Sequence, residues 1–221
     1  MTRPFEAVLF DLDGTLIDSA PDLAGAANEL RAAHGLPALP YERFRPMVGA
    51  GARGMIGIAF DIGPQHDRFA ELRDAFLDRY EQRMVRETRL FDAVAPVLDA
   101  LDRGRRPWGI VTNKATRFTE PLVRSLGLHA RAATVVAGDT TPHSKPHPAP
   151  LLEAARRVGL EPSRCMYVGD DVRDVQAGHA AGMTTVIAGW GYLGMGEPVD
   201  SWGAEYIVQR PEELLNLLRL A

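Results

Sequence analysis

Short apolar runs that stop at Gly or at a polar residue recur along this chain and alternate with helical patterns. The runs lie at residues 7–10, 108–111, 134–137, 166–168 and 184–188. Helical periodicity fills residues 94–104, 116–127, 148–158, 172–181 and 211–219. Apolar runs this short and this continuous are typical of buried strands. Strands that alternate with helices predict an α/β protein whose Rossmann-like parallel sheet is covered by helices on both faces.

One long segment interrupts this alternation. Residues 17–91 show helical periodicity and no convincing strand, with Leu23 and Leu30 on one apolar face. A small all-helical insert after the first strand explains this pattern. We therefore predict a core formed by residues 1–16 and 92–221 and a helical cap formed by the insert.

Composition excludes several classes of protein. The 221 residues are 46% hydrophobic and 24% charged, which is typical of a globular protein and excludes a disordered or fibrous chain. The net charge of −4 argues against a nucleic-acid partner. No apolar run suits a transmembrane helix and no signal-peptide pattern is visible, so we expect a cytoplasmic protein without a membrane partner. The only cysteine, Cys165, excludes an internal disulfide and a cysteine-based zinc site.

Two carboxylates follow the first apolar run. Asp11 and Asp13 are two residues apart, so an extended backbone directs both to one side, and Gly14 permits a tight turn after them. Neighbouring carboxylates repel each other and need a cation, and oxygen ligands without His or Cys favour Mg²⁺. A strand-terminating turn is the alternative interpretation of this motif taken alone.

More carboxylates follow the fourth apolar run. Asp170 and Asp171 come directly after its glycine, and Asp174 lies four residues beyond Asp170. This spacing predicts that Asp170 and Asp174 share one face of a helix. Helix capping explains any one of the three carboxylates. Three within five positions, at the sheet edge that also carries Asp11, indicate a binding site.

Two further polar groups follow apolar runs or lie in a polar loop. Thr112 and Asn113 end the second run, where a hydroxyl and backbone N–H groups can hold phosphate oxygens. Lys145 lies in a proline-rich polar loop. Lys114 and Lys145 are the only lysines beside 23 arginines, which indicates that these positions need a compact ammonium group. A solvated surface lysine is the alternative.

Together these residues resemble the four signature motifs of the haloacid dehalogenase (HAD) superfamily of phosphohydrolases. The motifs are Asp11-Leu12-Asp13-Gly14-Thr15, Thr112-Asn113, Lys145, and Gly169-Asp170-Asp171 with Asp174. Their order and spacing fit over essentially the whole chain, and the insert resembles the small helical cap of the superfamily. The resemblance implies the HAD fold, a Mg²⁺ cofactor and hydrolysis of a phosphomonoester through an aspartyl-phosphate.

The resemblance also implies a role for each motif residue. Asp11 is the expected nucleophile, and Asp13 is the expected general acid and base. The expected metal ligands are Asp11, Asp170 and the backbone carbonyl of Asp13, with Asp171 or Asp174 orienting metal-bound water. The expected stabilisers of phosphoryl charge are Thr112, Asn113 and Lys145. The expected substrate contacts include Gly14 and Thr15.

A glycine-rich segment of the insert matches a different motif by chance. Residues Gly49-Ala50-Gly51-Ala52-Arg53-Gly54 match GxGxxG, but they follow no strand, which argues against a dinucleotide site. A similar cap loop reaches the active site in the phosphoglycolate-phosphatase-like branch of the superfamily. Arg53 is therefore a candidate contact for a carboxylate on the substrate.

The resemblance to this branch implies a small phosphorylated metabolite that also carries a carboxylate. The two candidates are 2-phosphoglycolate and N-acetylmuramate 6-phosphate, the second because stretches such as Arg117-Phe118 and Trp202-Gly203-Ala204 resemble phosphatases of that sugar. A phosphosugar mutase of the same superfamily and a non-catalytic metabolite-binding module are the alternatives. Asp13 argues against a dehalogenase, and the cap has no lysine for a phosphonoacetaldehyde hydrolase. We expect a monomer or a homodimer.

Overall fold

The structure is a computed structural model that describes residues 5–220. Its strands, in chain order, are β1 (Ala7–Phe10), β2 (Ile17–Asp18), β3 (Arg89–Leu90), β4 (Trp108–Val111), β5 (Thr134–Val136), β6 (Cys165–Gly169), β7 (Thr184–Ala188) and β8 (Tyr206–Val208). Its α-helices are α1 (Ala20–Ala33), α2 (Tyr41–Phe44), α3 (Gly51–Phe60), α4 (Phe69–Arg83), α5 (Val94–Arg103), α6 (Thr116–Ser125), α7 (Ala149–Val158), α8 (Val172–Ala181) and α9 (Glu213–Leu218). Short 3₁₀ helices lie at Arg45–Ala50, Pro162–Arg164 and Val199–Trp202. Within residues 5–220, no helix combines the length and the hydropathy of a membrane span.

Six strands form one parallel sheet in the order β5-β4-β1-β6-β7-β8. The first strand, β1, lies inside this sheet and is hydrogen-bonded to β4 and β6. All four of its residues are apolar and buried, because a strand with neighbours on both sides and helices on both faces contacts no water. The predicted α/β fold around a parallel sheet is confirmed.

Alternate residues of β1 pack against different helices. Val8 and Phe10 belong to a hydrophobic cluster that includes buried residues of α5 and α6. Ala7 and Leu9 belong to a second cluster, which includes buried residues of α7 and α8. Since successive side chains of a strand point to opposite faces, helices cover both faces of the sheet.

The predicted strands agree closely with strands of the parallel sheet, with one omission from that sheet. The strands β1, β4 and β7 have the predicted bounds. The sequence does not predict β8, because it has only three residues and two of them, Tyr206 and Ile207, are exposed. A strand at a sheet edge has one neighbour, so it lacks the continuous apolar run of an interior strand.

The insert begins and ends at a small two-stranded sheet. Strands β2 and β3 pair antiparallel, with Ile17 opposite Leu90 and Asp18 opposite Arg89. Helices α1 to α4 lie between these strands. Two residues are too few to produce a strand pattern, which is why the sequence predicts only helices here. The division into a core of residues 1–16 and 92–221 and a cap of residues 17–91 stays a prediction.

A buried ion pair joins the first and last helices of the insert. Asp22 of α1 is fully buried, and its Oδ1 accepts a hydrogen bond from Nε of Arg83 at 3.3 Å. Its Oδ2 accepts from the backbone N–H groups of Glu87 and Thr88 and from the Thr88 hydroxyl. The Asp22 carboxylate therefore fixes the chain just before it returns through β3.

We expect Asp22→Ala to lower the free energy of unfolding by about 3 kcal/mol, because it leaves the Nε of the buried Arg83, the Thr88 hydroxyl and two backbone N–H groups without their acceptor. Glu29→Ala is the matched control. Glu29 also pairs with Arg83, at 2.6 Å, but its side chain is 47% exposed, so its loss costs about 1 kcal/mol or less. Urea denaturation of both variants measures the difference. Equal losses of stability would contradict this account of the ion pair.

Candidate active site

The polar residues predicted to form a site meet at the carboxyl ends of β1, β4 and β6. They line a cavity of about 410 Å³ between these strand ends and the insert. The cavity residues predicted from the sequence are Asp11, Asp13, Thr112, Asn113, Lys145, Asp170, Asp171 and Asp174. The cavity is therefore at the sheet edge where ligands bind in parallel α/β folds.

The ammonium group of Lys145 is almost completely enclosed by the protein. Its side chain is 3% exposed, and its Nζ lies 2.8 Å from Oδ1 of Asp11 and 2.6 Å from Oδ1 of Asp174. Nζ also donates to the Tyr167 hydroxyl at 2.8 Å and to the Val111 carbonyl at 3.1 Å. Burial opposes the charge, but the two carboxylates raise the pKa of Lys145 above its usual value. This lysine is a fixed positive charge and not the solvated surface group of the alternative interpretation.

The backbone around Lys145 is fixed by Asn113. The side-chain Nδ2 of Asn113 donates to the Lys145 carbonyl at 2.9 Å, and the Lys145 N–H donates to Asn113 Oδ1 at 2.9 Å. A residue at the end of β4 thereby holds a loop that is 32 positions away in the sequence. Asn113 positions the lysine in addition to lining the cavity.

Three buried carboxylates lie together beside this lysine. Oxygen atoms of Asp11, Asp170 and Asp174 lie within 4.8 Å of one another. Burial, and then the charges of Asp11 and Asp174, raise the pKa of Asp170 well above its usual value. When all three carboxyl groups are ionised, one lysine leaves two negative charges without a partner in a buried site. An all-oxygen donor set with this charge fits a hard divalent cation such as Mg²⁺.

The start of α8 decides how Asp170, Asp171 and Asp174 are arranged, and it does not agree with the helix face predicted from their spacing. Helix α8 begins at Val172, so Asp170 precedes the helix and does not share a helix face with Asp174. Asp171 is the N-cap residue, and Asp174 completes a capping box by accepting from the Asp171 N–H at 3.1 Å. The other oxygen of Asp174 contacts Lys145, so helix capping and site formation are both correct interpretations of this residue. The structure brings Asp174, and not Asp171, into the carboxylate cluster.

Each oxygen of Asp13 has its own partner. Oδ1 accepts from the Ser19 hydroxyl, and Oδ2 lies 3.2 Å from Nζ of Lys114. Lys114 also donates to the hydroxyl of Tyr80 on α4 at 3.0 Å, which connects the core to the insert. Burial raises the pKa of Tyr80 to about 12, so this hydroxyl stays neutral. The scarcity of lysine marked Lys114 in the sequence, but no motif assigned it to the site.

Gly14 and Thr15 lie behind the cavity and support Asp170. Gly14 has φ +84°, and a Cβ atom there would lie 2.1 Å from Oδ2 of Asp170. Thr15 is fully buried and donates its hydroxyl to Asp170 Oδ1 at 3.0 Å. Neither residue lines the cavity, and both position a carboxylate; their contact with the substrate stays a prediction.

The glycine-rich segment lines the cavity, but Arg53 does not. Residues 49–52 line it, whereas Arg53 is exposed and lies outside it. The reason is that α3 begins at Gly51, so Arg53 is already helical, and each helical residue points about 100° away from the one before. The contact of Arg53 with the substrate stays a prediction, which would require the insert to move from the position described here.

Two other arginines line the cavity instead, and the sequence motifs assigned a role to neither. Arg173 of α8 pairs with Asp171 at 2.7 Å and donates to the carbonyl of Gly49 in the insert. Arg117 lies in the first turn of α6. These positions depend on where the two helices begin, and only the folded structure defines that.

Comparison with known proteins agrees with this geometry. The model of the family described as haloacid dehalogenase-like hydrolase matches residues 8–188. The chain is 41% identical to an N-acetylmuramic acid 6-phosphate phosphatase of Pseudomonas aeruginosa, over 96% of this chain and 94% of that protein. It is 44% identical to a phosphoglycolate phosphatase of Xanthomonas campestris pv. campestris, over 94% of both chains. The resemblance inferred from the motifs is confirmed.

A solved structure extends the likeness to the whole fold. The crystal structure of a predicted phosphoglycolate phosphatase from Haemophilus somnus 129pt superposes with a TM-score of 0.85 at 29% sequence identity. It covers 98% of this chain and 99% of that chain.

We expect Gly14→Ala to weaken Mg²⁺ binding at least tenfold, since the added Cβ displaces Asp170 from the carboxylate cluster. Gly35→Ala is the matched control. Gly35 also has a positive φ, of +69°, but a Cβ there meets no atom within 4 Å. Calorimetric titration with Mg²⁺ measures both affinities. A similar loss in the two variants would assign the effect to backbone strain and not to Asp170.

Proposed function

We propose that this chain, which belongs to the haloacid dehalogenase-like hydrolases and is a phosphatase, hydrolyses a small phosphomonoester that also carries a carboxylate. The proposal depends above all on the position of Asp11. Its carboxylate lines the cavity, lies 2.8 Å from the buried Lys145 and adjoins two further carboxylates. A nucleophile, a fixed ammonium group and the donor set for a divalent cation are the parts that phosphoryl transfer requires.

In this proposal the reaction has two steps at Asp11. An oxygen of Asp11 attacks phosphorus, the ester P–O bond breaks, and Asp13 gives its proton to the leaving oxygen. Asp13 then takes a proton from a water molecule, whose oxygen attacks phosphorus and breaks the bond to Asp11. Inorganic phosphate leaves, and both carboxyl groups return to their starting states.

Several side chains orient the reacting groups. Ser19 and Lys114 hold the two oxygens of Asp13, so the acid has one orientation toward the leaving oxygen. The Lys145 ammonium group and the Thr112 hydroxyl supply positive charge and a hydrogen bond to the transferring phosphoryl group. Asp11, Asp170 and Asp174 would hold Mg²⁺, which would supply positive charge that offsets these carboxylates and the phosphoryl oxygens.

The insert completes the cavity and limits its contact with water. Its apolar residues on the wall of the cavity include Leu23, Val48, Phe76 and Leu77. A phosphorylated aspartate in bulk water hydrolyses without control, so a cover that closes over the strand ends is useful. We expect residues 17–91 to move as this cover, with hinges near Ile17 and Phe91.

The size and lining of the cavity favour the larger of the two candidate substrates. A volume of about 410 Å³ lies within the usual range of roughly 300–1,000 Å³ for pockets that bind drug-sized ligands. The two-carbon acid of 2-phosphoglycolate leaves most of this space empty. N-acetylmuramate 6-phosphate adds a sugar ring, an acetamido group and a lactyl ether, which can contact Leu23, Phe76 and Phe118. A cytoplasmic location and a monomeric or homodimeric state stay predictions.

We expect higher kcat/KM for N-acetylmuramate 6-phosphate than for 2-phosphoglycolate, because more of the larger substrate is buried against the apolar wall. Steady-state release of phosphate with Mg²⁺, measured side by side on the two esters, gives this ratio. When a chelator removes Mg²⁺ from the same assays, the enzyme should lose activity, because the carboxylate cluster then repels the substrate phosphate. Undiminished turnover in the chelator would overturn the metal requirement. A preference for 2-phosphoglycolate would reverse the assignment of the substrate.

Asp11→Asn should reduce kcat by roughly 10⁴-fold or more while the protein stays folded, because an amide cannot form the phosphoryl-enzyme bond. Asp99→Asn is the matched control, since Asp99 is an exposed carboxylate of α5 outside the cavity. Circular dichroism and phosphate release measure folding and activity for both variants. Activity of Asp11→Asn near that of the wild type would exclude this residue as the nucleophile.

A further inference from the structure

The cavity contains four cationic side chains, and three of them are paired with carboxylates of the protein. The four are Lys114, Arg117, Lys145 and Arg173. The three pairs are Lys114 with Asp13 at 3.2 Å, Lys145 with Asp11 at 2.8 Å, and Arg173 with Asp171 at 2.7 Å. Arg117 is the one cavity cation that forms no ion pair with any residue in the range 5–220.

The surroundings of Arg117 explain why it has no acidic partner. Its guanidinium lies 4.3 Å from the centre of the Phe118 ring, which supports it by a cation–π contact. Glu120 is three positions further along α6, where it could pair with Arg117. Glu120 instead pairs with Arg124 at 2.5 Å, and this hydrogen bond lowers the pKa of Glu120. Arg117 is exposed at the rim of the cavity, so its positive charge meets solvent here and is open to an anionic group of a ligand.

The stability of α6 does not account for an arginine at this position. Arg117 lies in the first turn, where the helix dipole disfavours a cation and favours an anion. The N-cap residue, Ala115, has no side chain that could cap the helix, and it lines the same cavity. The first N–H of the helix, at Thr116, already donates to the Asp139 carboxylate at 2.9 Å, so the guanidinium of Arg117 is the cationic group that this end of α6 offers to the cavity.

We propose that Arg117 binds the carboxylate of the substrate and is the specificity-determining residue of this site. This inference rests on the proposed function and extends it. With the phosphate at Asp11 and Lys145, a second anionic group of the substrate meets Arg117 at another part of the cavity wall. A guanidinium binds a carboxylate through two parallel hydrogen bonds, and the Phe118 ring limits the orientations of that guanidinium.

Two pairs of substrates isolate the carboxylate. N-acetylmuramate 6-phosphate and N-acetylglucosamine 6-phosphate differ by the lactyl group that carries the acid. The compounds 2-phosphoglycolate and 2-hydroxyethyl phosphate differ by a carboxylate in place of a hydroxymethyl group. In each pair the phosphate chemistry at Asp11 stays the same, so a difference in KM reports on recognition of the acid.

We expect Arg117→Gln to raise KM roughly tenfold for the acidic member of each pair and less than twofold for the other member, with kcat nearly unchanged. Arg117→Lys should recover part of the loss because it restores the charge but not the two-point contact. Arg124→Gln is the matched control, since it removes the same charge from the same helix outside the cavity. Its KM values should equal those of the wild type.

The outcomes separate this inference from the proposed function. A wild-type preference for the acidic substrates that persists in Arg117→Gln would overturn the role of Arg117 and leave the proposed function intact. An equal rise of KM on both members of a pair would likewise exclude recognition of the carboxylate. A wild-type enzyme that prefers the members without a carboxylate would overturn the proposed substrate class, and with it the role of Arg117.

Discussion

The structure depends on a buried cluster in which three carboxylates, Asp11, Asp170 and Asp174, lie beside the single ammonium group of Lys145. A cluster of this kind is unfavourable away from water unless the geometry is fixed and a further cation is bound. The parallel sheet supplies that geometry, because β1 lies between β4 and β6 and brings Asp11 beside the groups that follow those strands. Asn113 and the capping box at Asp174 then fix the positions of the lysine and of one carboxylate.

Much of this arrangement could be predicted because it follows from local signals and one general rule. A continuous apolar run that stops at a polar residue predicts a buried strand, and β1, β4 and β7 have the predicted bounds. Since parallel strands present their carboxyl ends at one edge, the polar residues that follow different strands must meet. Asp11, Asp170 and Lys145 are far apart in the sequence and meet in the cavity for this reason.

The sequence does not predict the directions in which side chains of the candidate site point. A helix turns about 100° per residue, so a shift of one position in its first residue decides whether an arginine faces the cavity or solvent. Arg53 and Arg117 are both exposed, but Arg117 and Arg173 line the cavity and Arg53 does not, and no motif separates the three. The motif that contains Gly14 and Thr15 likewise predicts that they lie near the site, but it does not predict that they lie behind Asp170.

The position of the insert and the geometry of the carboxylate cluster are linked through Tyr192. Its backbone N–H donates to Asp170 Oδ2 at 2.8 Å. Its hydroxyl accepts from the N–H groups of Ser19 and Ala20, where α1 begins, and donates to Asp18 of β2. One residue of the core thus contacts both a carboxylate of the site and the first residues of the insert. Because the same short segment also supplies Ser19 to Asp13, a shift of the start of the insert would change contacts of both Asp13 and Asp170. A movement of the insert about a hinge near Ile17 would therefore be coupled to the orientation of the carboxylates at the edge of the sheet.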